Sequence, residues 1–357
     1  MSALPPGSTI GILGGGQLAR MLALAGARLG LQSHIYAPEP ESPAFQVAAA
    51  HTVADYLDHG ALAEFAASVD AVTYEFENVP VDAVRFLENL RPVRPGSRAL
   101  ETAQDRLKEK RLARDLGAGT AEFAAVGSLA DLAAALERIG YPAVLKTTRL
   151  GYDGKGQANL RGPEDIGGAF AAMHGAPAIL EQFVDFRIEA SVIAARGESG
   201  AFVPFEVTEN VHRDHILCQS MVPARLAPGL ASEAVAIARR IGDALDYVGV
   251  FAVEFFVGES SIFVNEIAPR VHNSGHWTMD ACAISQFEQH MRAVAGWPLG
   301  DPWRHSDVVM TNLLGSEADQ WPALAAAPGT SLHLYGKAAA RPGRKMGHFN
   351  RITPRQA

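Results

Sequence analysis

Residues 250–276 read VFAVEFFVGESSIFVNEIAPRVHNSGH. Two apolar runs, 250–257 and 262–267, are rich in Val, Phe and Ile, and each is interrupted by one buried-pattern carboxylate, Glu254 in the first and Glu266 in the second. Gly258-Glu259-Ser260-Ser261 separates them, and β-rich runs flanking a short Gly/Ser segment predict a hairpin. With the turn centred near Ser260, Glu254 and Glu266 fall opposite each other, where directly opposed Cβ atoms are roughly 5 Å apart. Two carboxylates that close, in apolar strands, repel and are costly to desolvate, so a cation belongs between them. Oxygen ligands, with Asn265 adjacent, suit a hard ion such as Mg²⁺. The competing reading pairs one carboxylate with Arg or Lys and turns the other to solvent.

Downstream, residues 269–276 gather Arg270, His272, Asn273 and His276 in one loop. A lone His would read as structural; so many polar groups beside a suspected metal site read as catalytic machinery. Residues 335–348 (YGKAAARPGRKMGH) form a basic loop suited to clamping an anion, or else a solvated tail.

Upstream, residues 232–245 predict an amphipathic helix. Residues 187–195, carrying Glu189, and 202–211, ending near His212, predict strands, as does AILEQF at 178–183 with Glu181 in its apolar pattern. YPAVLK at 141–146 predicts a strand ending in Lys146, followed by the Gly-rich loop 147–157. A strand-end Lys beside such a loop suits phosphate oxygens. No GxxxxGK[ST] is present, so this is not a Walker A loop. Residues 103–116 predict a charged helix with Asp105, Arg106, Lys108 and Lys110, expected to present a solvated face.

The first hundred residues alternate strand and helix, predicting a doubly wound parallel sheet. TIGIL at 9–13 leads into Gly14-Gly15-Gly16 and a helix over 17–29. Gly14, Gly16 and Ala19 fit G-x-G-x-x-A, and Glu39 after the second strand leaves a nicotinamide-dependent oxidoreductase open as an alternative. Glu75, Glu77 and Asn78 in YEFENVP lie beyond the carboxyl end of a strand, where such sheets hold ligands, or cap the next helix. RPVRPGSR at 91–98 reads as a joint between domains.

At 357 residues the chain is long enough for two or three domains. A formal charge of −8 argues against nucleic-acid binding, which needs a basic surface. Cys218 and Cys282 are too few for a disulfide framework and suit reduced thiols in the cytoplasm. The first residues carry no signal-peptide pattern, and no run approaches a membrane span.

Seven strings stand in order along nearly the whole chain: GGGQLARM at 14–21, YEFENVP at 74–80, DRLKEK at 105–110, GYDGKGQ at 151–157, NEIAPRVHNSGHWT at 265–278, SQFEQH at 285–290 and RPGRKMGH at 341–348. Together they resemble the ATP-grasp superfamily, and within it the ligases that carboxylate aminoimidazole ribonucleotide in purine biosynthesis. Leu150 departs from the family loop, which has a small residue or Gly there. The resemblance implies a mixed α/β and α+β, three-part ATP-grasp architecture. Its parts are a doubly wound N-terminal domain (1–98), an ATP-grasp domain (99–297) with a lid subdomain at about 118–182, and a small C-terminal domain (298–357).

The resemblance also implies roles. Arg106 and Lys146 contact ATP phosphates, with Gly151, Asp153, Gly154, Lys155, Gly156 and Gln157 in a closing loop. Glu181, Gln182, Phe183 and Val184 receive adenine, Glu189 takes the ribose, and His212 lies near the nucleotide. Glu254 and Glu266 hold Mg²⁺, with Asn265 beside them. Tyr152, Asp153, Arg270, His272, Asn273 and Lys337 serve catalysis around bicarbonate and the aminoimidazole. Gln17, Leu18, Glu75 and Asn78, with Lys337, Arg344 and Lys345, hold the ribonucleotide. The implied assembly is a homodimer, with small-molecule substrates and neither nucleic acid nor membrane as a partner.

Overall fold

The computed structural model describes residues 3–151 and 156–355, in which three sheets are formed. The first holds β1 (Thr9–Leu13), β2 (Gln32–Ala37), β3 (Ala50–Val53) and β4 (Ala71–Tyr74), all parallel, in the order β3-β2-β1-β4. Ile10, Ile12 and Leu13 are fully buried, as continuous apolar strands covered by helices on both faces should be. The second sheet is antiparallel: β5 (Phe123–Val126), β6 (Ala143–Thr147), β7 (Gln157–Leu160) and β8 (Ala178–Gln182), in the order β5-β8-β6-β7.

The third sheet is large and antiparallel. Its strands are β9 (Ile188–Arg196), β10 (Phe202–Pro204), β11 (Thr208–Arg213), β12 (Ile216–Val222), β13 (Gly249–Val257), β14 (Ile262–Ala268), β15 (Ser306–Leu314), β16 (Thr330–Leu334) and β17 (Lys345–Pro354). They run β14-β13-β9-β11-β12-β15-β17-β16, with β10 paired to β9. One apolar core joins the parts. Leu18, Met21, Leu22 and Ala25, spaced three and four apart on helix Gln17–Arg28, pack with Phe287 and Met291 of helix Gln286–Val294 and with Val250, Trp277 and Met310. Among the described residues no helix is long and apolar enough to cross a membrane.

The hairpin forms in the expected register, with Glu254 opposite Glu266. Beyond that pair Phe255 faces Val264, so Asn265 is an extra residue in a β-bulge. Four expectations need correction. The span 202–211 is two strands, because the register against β9 slips by one residue between Pro204, opposite Ala194, and Thr208, opposite Ser191. The span 103–116 is not one helix: Ser97–Ala103 ends, and Asp105 caps a new helix, Arg106–Asp115, by accepting from the N–H groups of Leu107 and Lys108 at 3.0 and 3.2 Å. Nor is that helix a solvated face, since Glu109 and Lys110 are 2% and 1% exposed. Finally, residues 345–348 of the expected basic loop belong to β17. Leu150 stands at φ 64°, in the left-handed region where a residue without a Cβ is unstrained.

Candidate active site

A cavity of about 1120 Å³ opens where the carboxyl ends of the parallel strands face the two antiparallel sheets. β6 and β8 carry Lys146 and Glu181 to one end. Lys146 Nζ donates to Glu181 Oε2 at 2.9 Å, and Lys110 Nζ lies 3.8 Å from the same oxygen. Burial pushes the Glu181 carboxyl up, but Lys110 and Lys146 outweigh it and hold the group at about 2. Its other oxygen, Oε1, is buried without a partner among the described residues, a polar atom awaiting a ligand. Gln182, Phe183 and Val184 continue the wall. Phe186 and Phe256 stack beside it with centroids 4.6 Å apart, giving a flat apolar surface. Glu189 pairs with His212 at 2.9 Å. Burial lowers the imidazole pKa, yet the bond to Glu189 and the charge of Glu254 leave it raised. Arg106 donates to the carbonyls of Thr147 and Gly151 at 3.3 and 2.9 Å, fixing the start of the glycine loop.

At the centre, Glu254, Glu266 and His272 bring ligand atoms within 4.8 Å of one another. Burial and the facing Glu266 push the Glu254 carboxyl up to about 8. That is the mark of two carboxylates with too little positive charge between them, and it fits a hard divalent cation. His272 does not complete the ligand set. Its Nδ1 accepts from the Ser274 N–H at 3.3 Å and meets Ser274 Oγ at 2.9 Å. The ring proton is therefore on Nε2, 3.4 Å from Glu254 Oε1. Burial and Arg270 hold the imidazole well below its usual pKa, so it is a neutral hydrogen-bond donor. Ser274 Oγ leads on to Ser191 (2.7 Å), and Asn210 donates to Ser191 at 3.0 Å, a chain of buried polar groups that fixes the ring.

Around this centre, Arg270 donates to Glu77 at 2.5 Å. Asn273 and Asn312 exchange two amide hydrogen bonds at 3.0 and 2.7 Å, so both amide groups of Asn273 are engaged across to β15. Lys337, Arg344 and Lys345 line the cavity together with Gln17, Leu18, Glu75 and Asn78. Lys337 Nζ donates to the Lys345 carbonyl at 2.7 Å, and burial with the Arg344 charge lowers it to about 8. Glu75 accepts from the Gly16 N–H at 2.8 Å. Gly14 has φ 101°, and a Cβ on Gly16 would lie 2.7 Å from Glu75 Oε1. The glycine triplet thus wraps a carboxylate, which occupies the helix end that a dinucleotide pyrophosphate would need.

The cavity brings together Gln17, Leu18, Glu75, Asn78, Arg106, Lys146, Gly151, Gln157, Glu181, Gln182, Phe183, Val184, Glu189, His212, Glu254, Asn265, Glu266, Arg270, His272, Asn273, Lys337, Arg344 and Lys345. Gly156 is outside the lining; its carbonyl accepts from Thr147 N–H at 2.8 Å. Tyr152, Asp153, Gly154 and Lys155 lie outside the described residues. Sequence reasoning missed Tyr56, Phe186 and Phe256 in the wall. Phe256 carried a usable signal, because it sits two residues from Glu254 and so on the same face of β13.

Three family models match in order: a ribonucleotide synthetase preATP-grasp domain over 8–104, an ATP-grasp domain over 111–287, and a phosphoribosylaminoimidazole carboxylase C-terminal domain over 308–357. The chain is 53% identical to the N5-carboxyaminoimidazole ribonucleotide synthase of Brucella melitensis, over 99% of each chain. It superposes with a TM-score of 0.95 on an ADP complex of an N5-carboxyaminoimidazole ribonucleotide synthetase, at 43% identity, covering 99% of this chain and 94% of the other. An Aspergillus clavatus N5-carboxyaminoimidazole synthase, in complex with ADP and 5-aminoimidazole ribonucleotide, matches with a TM-score of 0.91 at 32% identity, covering 98% and 94%.

Proposed function

The chain belongs to the N5-carboxyaminoimidazole ribonucleotide synthase family of ATP-grasp ligases, and from that premise we propose how its own residues perform the reaction. The enzyme carboxylates 5-aminoimidazole ribonucleotide with bicarbonate at the expense of ATP, giving N5-carboxyaminoimidazole ribonucleotide, ADP and phosphate in purine biosynthesis. Bicarbonate is a poor electrophile, and hydroxide is a poor leaving group. An oxygen of bicarbonate takes the γ-phosphoryl group as the bond to ADP breaks, and the carboxyphosphate formed carries a good leaving group. The exocyclic amine then attacks its carbon, or CO₂ released from it; phosphate departs and the amine loses a proton.

Such chemistry asks for positioning and charge neutralisation, not for a protein nucleophile. The observation that carries the assignment is the gathering of these groups in one cavity: Lys146 paired with Glu181, the opposed Glu254 and Glu266, and Lys337, Arg344 and Lys345 all line it. Glu181 through Val184 take the adenine, and Glu189 takes the ribose, its carboxylate oriented by His212. Arg106 and Lys146 neutralise phosphate oxygens. Glu254 and Glu266, with Asn265 beside them, hold Mg²⁺, which when bound offsets phosphate charge. His272 donates its Nε2–H to an oxygen of the carboxylating species, and Arg270 neutralises it. Lys337, Arg344 and Lys345 bind the ribonucleotide against Gln17, Leu18, Glu75 and Asn78. Tyr152 and Asp153 complete the acceptor site, with Asp153 orienting or deprotonating the amine; an Asp153→Asn enzyme with full coupled turnover would count against that role.

The chain divides into units 1–98, 99–297 (with 118–182 as a lid subdomain) and 298–357; the parallel sheet and the β5–β8 sheet support the first unit and the lid. The two free cysteines suit the cytoplasm, and the family resemblance implies a homodimer, which light scattering tests. The decisive experiment measures ADP release from Mg·ATP and bicarbonate with and without the ribonucleotide. Strong stimulation with bicarbonate consumed in step supports the assignment, and ADP release indifferent to the ribonucleotide opposes it.

A further inference from the structure

β14 is an edge strand of the large sheet. Its bulge leaves Asn265 without a partner on β13, so the ladder alone does not fix the backbone next to Glu266. Two buried charged side chains of helix Arg106–Asp115 do. Lys110 Nζ donates to the carbonyls of Val264 and Asn265 at 3.1 and 2.8 Å. On the other side of Glu266, the Ile267 N–H donates to the Glu109 carboxylate. These side chains extend the one backbone bond on this edge, from the Val264 N–H to the Gly119 carbonyl at 2.8 Å. Burying ionisable side chains merely to fill space is unfavourable, since apolar residues of the same volume usually pack at least as stably. These two are directed instead at three backbone groups that flank one carboxylate. The same ammonium lies 3.8 Å from Glu181 at the nucleotide end.

We propose that Glu109 and Lys110 are positioning residues that clasp the bulged edge of β14, aiming Glu266 at Glu254 and tying that geometry to Glu181. The proposal rests on the reading of Glu254 and Glu266 as metal ligands, and its test separates the two. Mn²⁺ is titrated into the full-length protein with ADP present, and free Mn²⁺ is read by electron paramagnetic resonance, alongside thermal melting. Partners that orient metal ligands are worth about 10–100-fold in metal affinity, so Lys110→Met and Glu109→Leu should each weaken Mn²⁺ binding about 10-fold or more. Glu109→Gln keeps an oxygen to accept from the Ile267 N–H and should stay within about three-fold of the parent protein. Arg94→Met is the stability control. Arg94 is a buried residue that donates to the Val294 carbonyl and to Glu198, neither of which is on β14. That variant should melt earlier with Mn²⁺ affinity intact.

A folded Lys110→Met that binds Mn²⁺ within about two-fold of the parent overturns the clasp. If Lys110→Met does not fold, the Glu109 pair decides: Leu and Gln behaving alike overturns it. Glu266→Gln, which removes a ligand charge, should abolish tight Mn²⁺ binding. If it does not, the metal reading fails and takes the clasp with it; if it does while the Lys110 and Glu109 variants bind normally, only the clasp fails.

Discussion

Gln286 offers a sharp test of how the loop carrying His272 is held. Its side chain is fully buried. Oε1 accepts from the His272 N–H at 2.9 Å, Nε2 donates to the His272 carbonyl at 2.7 Å, and Nε2 also lies 3.0 Å from His276 Nδ1. One amide thus pairs with the backbone of His272 as a neighbouring strand would. Replacing it with Leu keeps the volume and strands three polar groups. A buried group left unsatisfied costs about 1–3 kcal/mol, so with partial relaxation the loss should be about 3–6 kcal/mol. The unfolding entropy is about 2.1 cal/mol/K per residue, or about 0.75 kcal/mol/K over the 357 residues, so Tm should fall by roughly 4–8 °C in scanning calorimetry. A ring displaced by about 1 Å loses of order 100-fold in rate, so kcat for carboxylation should fall that far while ADP binding, tens of residues away in the wall, changes little. A Tm within about 1 °C of the parent would refute the satisfaction argument; a normal kcat in a destabilised protein would refute the claim that this amide positions His272.

Three further outcomes are expected. Lys337 loses its proton as pH rises through about 8, so the KM for the ribonucleotide should climb above that pH, and Lys337→Arg should move the climb well upward because arginine stays charged. The linked effect on stability has the opposite sign. The folded state holds this proton less tightly than the unfolded chain, so Lys337 destabilises below pH 8, and the penalty fades between about 8 and 10.5. Glu181→Gln leaves Lys110 and Lys146 buried without their carboxylate, which should cost about 3–5 kcal/mol in stability and weaken ADP binding in calorimetric titration. Gly16→Ala puts a Cβ 2.7 Å from Glu75 Oε1 and must displace that carboxylate; the ribonucleotide KM should rise about ten-fold with ADP affinity unchanged, and an unchanged KM would detach Glu75 from substrate binding.

The hairpin was legible because two carboxylates in β-rich runs, a short turn between them and a period of two leave little choice of register. The bulge was not: one extra residue on one strand changes neither composition nor alternation, yet it decides what Asn265 and Glu266 face. Lys110 was misread, and Glu109 passed over, for a related reason. In a helix reading RLKEKRLARD, charge is the rule, and only contact with β14, more than 150 positions away, marks two of its charges as buried. The glycine triplet was legible as a tight strand–helix turn but not as the cradle of Glu75, since the carboxylate arrives from another strand. Motif strings placed nearly every described candidate in one cavity, while pairings such as Asn273 with Asn312 needed the fold.

β17 is the last strand in sequence, yet it sits between β15 and β16 and not at the rim. Among the described residues β16 has no other strand partner, and Lys337 and Arg344 lie on the connection between them. A growing polypeptide can therefore assemble the nucleotide wall well before it has an acceptor pocket. Until β17 slots in, β15 and β16 each keep an open edge, and only contacts such as Gln46 Nε2 to the Gly336 carbonyl tie the acceptor end to the parallel-sheet part. In order of synthesis the acceptor's grip thus follows the nucleotide wall.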